Sequence, residues 1–422
     1  MNLIRTSFWS SISSIFRIIA GLIITKIIAV VVGPSGVALL GNFTNITSIF
    51  TTFANGGITS GITKYIAEFN TEEERSCVIS HAFKINLICS FIIGLIVIVL
   101  NKSLAQLAFG DVKYSIAFIL FGVTVVFYGM NSTISAVLNG YKYIKYLIII
   151  SVTGSVLSVI LAMVITIRFG VFGAIINTMI AQVFIFLFSI VFVRKLKLFH
   201  SKLLYISLNR SLLWKLFNFA TMSLVSALFV TTSMFLIRNY IYKNFSPNEA
   251  GYIQGMWSIS SAYLMVITTT LSTYYLPTLS RLKDPLEIRR EILRGYKYLL
   301  PLALVGGLAV YICKDIIIYI LYTPTFLPMR KYFAFQIIGD TLKVASFMLA
   351  HMMIAKAMTR WYIVSEVIFS FMYVGLSFLF MSAFGSVGVT YAYTVNYLLY
   401  LIFMMVLFRR ILFPLKSKRL QD

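Results

Sequence analysis

Acidic residues are scarce in this chain: 13 Asp and Glu among 422 residues, against 36 Lys and Arg. There is no Asp-x-Asp metal pair, no Gly-rich phosphate loop and no His-rich cluster, which argues against a metal-dependent glycosyltransferase or an ATP-driven pump. Cysteine is equally sparse. Cys77, Cys89 and Cys313 are odd in number and lack metal-ligand spacing, so they read as small packing residues and not as a disulfide framework. His81, His200 and His351 stand far apart in the chain; His351, inside an apolar run, reads first as a bonded packing residue and second as a proton relay. No polar stretch is long enough for a separate soluble domain. Residues 1–32 lack a small-x-small cleavage site and carry Arg17 and Lys26 within the apolar stretch, so they read as a retained first span and not as a signal peptide.

Apolar sequence is abundant. At 59% hydrophobic residues and a mean hydropathy of +0.91, the chain needs a bilayer as solvent. Twelve runs lie roughly at 8–32, 37–60, 80–100, 114–138, 143–167, 171–193, 214–237, 250–275, 297–321, 332–355, 361–381 and 387–408. Each has about 20 residues or more, enough at about 1.5 Å per residue to cross roughly 30 Å of hydrocarbon. The second half repeats the first. Phe169-Gly170-Val171-Phe172-Gly173 opens a run that ends at Arg194-Lys195, and Phe384-Gly385-Ser386-Val387-Gly388 opens one that ends at Arg409-Arg410, each landmark 215 residues later (169 to 384, 194 to 409). Other landmarks keep nearly that offset: Gly33-Pro34 matches Ser246-Pro247, and 117–122 matches 334–339. The expected fold is an all-α polytopic membrane protein of about twelve transmembrane helices, in two six-helix lobes related by an internal repeat. The lobes are placed at 1–195 and 214–422, with a cytoplasmic linker at 196–213. Repeats of this kind build a central site between lobes that move about it, which points to a carrier.

The formal charge of +23 raises the question of nucleic acid, and the position of the charges answers it. With the N-terminus inside, Arg5, the inner loops and the C-terminal tail hold 25 Lys/Arg and the outer loops hold 8, while Arg17, Lys26 and Lys343 lie within spans. This is the positive-inside pattern of a multi-pass protein with both termini cytoplasmic. The basic clusters at 194–215 and 281–297 therefore read as orientation signals that meet anionic lipid. Nucleic acid is not an expected partner.

Ionisable groups inside a span cost several kcal/mol unless they face a cavity or a partner, so the few present are functional candidates. Arg17 lies about 14 Å into the first span, too deep to reach either surface easily, and Lys26 is nearer the outer end. Each reads as a cavity-facing substrate contact or a snorkelling side chain. Asp340 and Lys343 stand three residues apart on one face of the tenth span, as a self-neutralising pair or as an open binding element. Arg238 ends the seventh span as interfacial anchor or ligand. Glu68, Lys356 and Glu366, toward the inner ends of spans, are gating or ion-pair candidates. The second span has Asn42, Thr44, Asn45, Thr47, Ser48, Thr51, Thr52 and Asn55, and the eighth is rich in Ser and Thr from Ser258 to Thr273. Such residues suit either sugar hydroxyls or close helix packing. Gly56-Gly57, Gly61 and Pro277 mark places where a helix bends or unwinds. Trp257, Tyr274 and Tyr275 read as interfacial belt before sugar platform.

Several segments together carry a family resemblance: Gly33-Pro34-Ser35-Gly36 closing the stretch from Lys26, Gly61-Ile62-Thr63-Lys64-Tyr65, Tyr275-Leu276-Pro277-Thr278-Leu279-Ser280-Arg281-Leu282, Gly339-Asp340-Thr341-Leu342-Lys343-Val344, and Ile354-Ala355-Lys356-Ala357. Nearly end to end, the chain resembles the Wzx family of lipid-linked oligosaccharide flippases, which includes O-antigen and enterobacterial common antigen translocases. That family belongs to the multidrug/oligosaccharidyl-lipid/polysaccharide exporter superfamily. The resemblance implies two six-helix lobes around a cationic cavity. It implies transport of an undecaprenyl-pyrophosphate-linked glycan from the cytoplasmic to the periplasmic leaflet of the bacterial inner membrane by alternating access. No enzymatic activity and no bound cofactor are implied; coupling to a proton or sodium gradient is, with inner-membrane lipids, polysaccharide polymerase and chain-length machinery as further partners. Arg17, Lys26, Arg238 and Lys343 would complement the anionic headgroup, with Asp340 orienting Lys343 or coupling the ion. One departure stands out: an acidic residue is expected after Ser258-Ile259-Ser260, and position 261 is Ser. The alternative is a cation-coupled drug or small-molecule antiporter of the same superfamily, whose cavity would be dominated by acids and aromatics.

Overall fold

A computed structural model describes residues 3–196, 209–356 and 358–412; the side chains of 3–15, 17, 272, 273, 276 and 277 lie outside the described set. Every element among the described residues is helical. In hydrocarbon no water satisfies a backbone N–H or C=O, and a helix bonds all but its terminal groups to itself. The helices are α1 (Leu3–Ala54), α2 (Thr59–Glu68), α3 (Glu72–Val99), α4 (Asn101–Phe109), α5 (Ser115–Gly140), α6 (Ile144–Leu161), α7 (Ile167–Lys195), α8 (Arg210–Asn244), α9 (Pro247–Thr270), α10 (Leu276–Arg281), α11 (Pro285–Ile312), α12 (Lys314–Leu321), α13 (Phe333–Ala355), α14 (Thr359–Phe384), α15 (Gly388–Leu407) and α16 (Arg409–Leu412).

Among the described residues, eight stretches are long and apolar enough to cross a membrane by length and composition. Three of them contain a break: Gly33 in α1 (φ 65°), Gly170 in α7 (φ 56°) and Gly385 between α14 and α15 (φ 67°). Left-handed backbone is cheap only for glycine, so each of these residues divides one continuous helical stretch into two spans. With α9 added, the count is twelve. The second span is shorter than the sequence suggests. It ends at Ala54, because Gly56 and Gly57 are both left-handed (φ 65° and 64°), and the chain restarts as the short helix α2.

The repeat holds at the level of single elements. α11 begins and ends 213 residues after α3 (72 to 285, 99 to 312), and α12 begins 213 residues after α4 (101 to 314). Gly170 and Gly385 adopt the same kink 215 residues apart. Three positions later, a Cβ on Gly173 would overlap the Ile165 carbonyl, and one on Gly388 would overlap the Phe380 carbonyl, the same eight-residue back-contact in each half.

By packing, the chain groups into two units, Met1–Asn239 with Ile320–Thr325, and Tyr240–Tyr319 with Phe326–Asp422. Most of the 196–213 linker read from the sequence, residues 197–208, lies outside the described residues, as does the C-terminal tail from 413. In the first unit, Phe43, Phe109, Phe118 and Phe121 form an aromatic core, with Phe43 and Phe118 ring centroids 5.4 Å apart. Leu212, Leu216 and Ala220 of α8 join the core made by α2 and α3. In the second unit the core is Tyr275, Ile292, Met348, Leu349, Met353 and Met404. Polarity runs opposite to that of a soluble protein: Phe91, Val305 and Ile312 are largely exposed, while His81, Asn86, Arg238 and Asp340 are fully buried. Outward faces of this kind require lipid around them.

Candidate functional site

α13 presents Gln336, Asp340, Lys343, Phe347 and His351 at steps of four, three, four and four residues, the spacing of one helical stripe. Two neighbouring helices are matched to it. α9 offers Ser260 and Tyr263, and α15 offers Tyr393 and Tyr397. The approach of α15 depends on Gly339, where any Cβ would overlap the Tyr393 ring.

Asp340 is completely buried, and four neutral donors surround its carboxylate. Ser260 (2.6 Å) and Tyr263 (2.7 Å) donate to Oδ2, and Tyr393 (2.8 Å) and Gln336 (3.2 Å) donate to Oδ1. Hydrogen bonds to a charged group are worth about 1.5–3 kcal/mol each, so this set offsets much of the cost of burying the carboxylate. Lys343 adds a through-space attraction to this set but no direct bond. Its Nζ lies 5.4, 5.6 and 6.0 Å from the ring centroids of Phe347, Tyr397 and Tyr393, and among the described residues no carboxylate is within ion-pair distance of it. Its charge is felt by Asp340 and by Glu366 of α14, and Glu366 itself is hydrogen-bonded by Tyr362. Of the two readings left open by the sequence, the closed Asp340–Lys343 pair is not the arrangement found. The ammonium faces aromatic rings, whose faces attract a cation and leave its N–H donors for another acceptor.

The other candidates are dispersed. The side chain of Arg17 lies outside the described residues. Lys26 is half-buried, and its ammonium donates to the Tyr322 carbonyl. Arg238 is sealed in the first unit, its Nε donating to Asn42 Oδ1 at 2.7 Å; with the Asn45 amide oxygen turned toward it, Nη2 donates there at 3.0 Å. Glu68 is exposed at the end of α2. Lys356 donates to the Leu282 carbonyl and makes no ion pair with Glu366. His351 Nδ1 bonds the Phe347 carbonyl at 2.7 Å, the bonded packing role that the sequence favours. In the second span Thr44, Thr47, Thr51 and Thr52 turn their hydroxyls to carbonyls four residues back on their own helix. Trp257 and Tyr275 are buried and only Tyr274 is exposed, so two of the three aromatics expected in an interfacial belt pack inside the second unit. The tyrosines of α15 were not singled out by sequence. Their signal was there, Tyr393, Tyr397 and Tyr400 spaced four and three residues apart, but such a stripe in an apolar run also describes ordinary packing.

Among the described residues no three His, Cys, Asp or Glu side chains converge as metal ligands. The arrangement offers a buried carboxylate able to exchange a proton or hold a cation, and next to it an ammonium on an aromatic wall. Comparison with known proteins says what kind of protein holds it. The family described as polysaccharide biosynthesis protein matches residues 27–331, well over half of the chain. The chain belongs to that family. It is 28% identical over 402 residues to the Lipid III flippase of Escherichia coli (strain K12), covering 95% of this chain and 96% of that one, and equally to the Lipid III flippase of Shigella flexneri. In fold it is similar to an inward-facing multidrug resistance MATE family transporter of the MOP superfamily, with a TM-score of 0.77 at 16% identity over 94% of this chain and 95% of that one. This member of the polysaccharide biosynthesis protein family is thus a multi-pass membrane protein.

Proposed function

We propose that the chain flips an undecaprenyl-pyrophosphate-linked oligosaccharide, an O-antigen or related surface-polysaccharide repeat unit, from the cytoplasmic to the periplasmic leaflet by alternating access. The observation that supports this reading from the site is Lys343. A membrane-embedded ammonium with no ion pair among the described residues, on a wall of three aromatic rings, suits a diphosphate oxygen on one side and a sugar face on the other. Arg17, deep in the first span, is the second headgroup ligand. Asp340 is the group through which a proton or sodium gradient couples, because it is the fully buried carboxylate beside that cation. Both termini are cytoplasmic on the strength of the Lys/Arg asymmetry. Expression in cells depleted of their own Lipid III flippase tests the proposal: the chain restores surface glycan, and Lys343→Ala does not. Failure of the wild-type chain with every lipid-diphosphate glycan offered counts against it.

A second reading, a cation-coupled antiporter of small organic molecules, draws on Asp340 and its tyrosine surround, an acid among aromatics. Energised vesicles separate the two. Uptake of a cationic dye that depends on Asp340 and ignores lipid-linked glycan favours the antiporter.

A further inference from the structure

At the end of the first unit where α2 finishes and α8 begins, the chain packs against α8 closely enough that two of its facing positions are glycine. A Cβ at Gly57 would lie 2.9 Å from the Ala220 carbonyl oxygen, and one at Gly61 would lie 3.0 Å from Leu216. That approach brings two lysines to one aromatic ring. Lys64 of α2 holds its Nζ 5.3 Å from the centroids of both Tyr65 and Phe219. Lys215 of α8 holds its Nζ 5.9 Å from those of Tyr65 and Phe69. The two ammonium groups are therefore no farther apart than 5.3 and 5.9 Å laid end to end. Both lysines are exposed, and among the described residues neither has a carboxylate within ion-pair distance.

A recess of about 140 Å³ adjoins Lys215, which lines it with Phe69, Glu74, Cys77, Asn209 and Ser211. Its acid is engaged: Glu74 accepts the Thr71 hydroxyl at 2.8 Å in the cap of α3. Its wall is fixed, because His81 Nε2 accepts the Asn209 N–H at 2.6 Å and so holds the start of α8. Two like charges near one ring repel each other, and a dianion that reaches both turns that repulsion into two charge-assisted hydrogen bonds. By the charge asymmetry this end of the unit lies at the cytoplasmic membrane surface, where lipid phosphates sit.

We propose that Lys64 and Lys215, backed by Tyr65, form a lipid-diphosphate docking site at the inner leaflet, separate from the Asp340–Lys343 site and met by the headgroup before it. The identity of the lipid rests on the function proposed above; the site itself rests on the lysine geometry. Amine acylation mapped by mass spectrometry tests it on the purified full chain in phosphatidylcholine nanodiscs, with undecaprenyl diphosphate as probe and phosphatidylglycerol as the competing source of phosphate. Undecaprenyl diphosphate is expected to slow acylation of Lys64 and Lys215 by about tenfold, the scale of one charge-assisted hydrogen bond, with Lys283 unprotected as the reference. In Lys64→Gln the protection of Lys215 is lost, while the unfolding temperature in detergent holds. Protection of Lys343 without protection of Lys64 and Lys215 overturns the docking site and leaves the proposed function standing. Protection of no lysine overturns both. Equal protection by phosphatidylglycerol overturns the diphosphate assignment.

Discussion

Replacing Lys343 by alanine separates a binding role from a structural one, because the structure assigns the two roles different magnitudes. Were Lys343 the necessary partner of a buried Asp340, its removal would leave an uncompensated charge and cost about 3–5 kcal/mol of stability. Asp340 instead keeps four hydrogen bonds that do not involve Lys343. What the alanine removes is contact with Phe347, Tyr393 and Tyr397, worth about 0.5–2 kcal/mol, together with a through-space attraction to Asp340 and Glu366 that is weaker than a direct ion pair. Transport is affected more strongly. Truncating one partner of a buried, hydrogen-bonded charge pair costs about 2–5 kcal/mol, and at about 1.4 kcal/mol per decade that is a loss of roughly 30-fold or more. The assay pairs glycan export in cells with the thermal unfolding midpoint in detergent. Lys343→Ala should fold with a small shift and fail to export, and Lys343→Arg should retain part of the activity because the charge survives. The reasoning is refuted if Lys343→Ala exports at the wild-type rate. It is equally refuted if the variant unfolds as a broken buried pair would and Asp340→Asn/Lys343→Met restores both folding and export.

Three further outcomes follow from the same geometry. Tyr393→Phe deletes a donor to Asp340 and should cost about 1.5–3 kcal/mol, whereas Tyr373→Phe, whose buried hydroxyl has no hydrogen-bond partner among the described residues, should be neutral or stabilising; paired denaturation curves check the contrast. Gly388→Ala drives a methyl into the Phe380 backbone and should lower stability by about 1–3 kcal/mol, while Gly375→Ala, with nothing within 4 Å of the added carbon, should not; their unfolding midpoints compare directly. Burial pushes the Glu249 carboxyl up, but the hydrogen bonds from Lys331, Tyr332 and Ser386 outweigh it and hold Glu249 below the usual carboxylate range. A depressed folded pKa stabilises above the unfolded value and is lost as pH falls through the folded one, so acidification below about pH 4 should destabilise wild type more than Glu249→Gln.

The fold was legible because its determinants are local and repeated. Apolar runs of bilayer length gave the spans, and the Phe169-Gly170 and Phe384-Gly385 landmarks marked two kinks that the backbone does adopt. The end of the second span was misplaced, since the run placed at 37–60 continues past Ala54 through Asn55-Gly56-Gly57, and the two left-handed glycines, read from the sequence as a place of bending, stop the helix outright. The site was legible in part. Asp340 and Lys343 were visible as charges at helical spacing, yet which neighbours each would meet depends on α9 and α15, nearly 80 residues before and about 50 after. No local pattern carries that information. Arg238 shows the same limit: its partner Asn42 is 196 residues away, and nothing near Arg238 in sequence says that the guanidinium is sealed.

The central claim is that this chain moves a lipid-diphosphate oligosaccharide across a bilayer. Its most direct test uses the purified protein in liposomes loaded with an undecaprenyl-diphosphate oligosaccharide, with a membrane-impermeant lectin or glycosidase reading the sugar in the outer leaflet. The account predicts that the glycan population accessible from outside rises from the starting half toward completion with wild type, and does not rise with Lys343→Ala. Glycan accessibility that stays at half with a folded wild-type chain, under an imposed proton or sodium gradient of either direction, would contradict it.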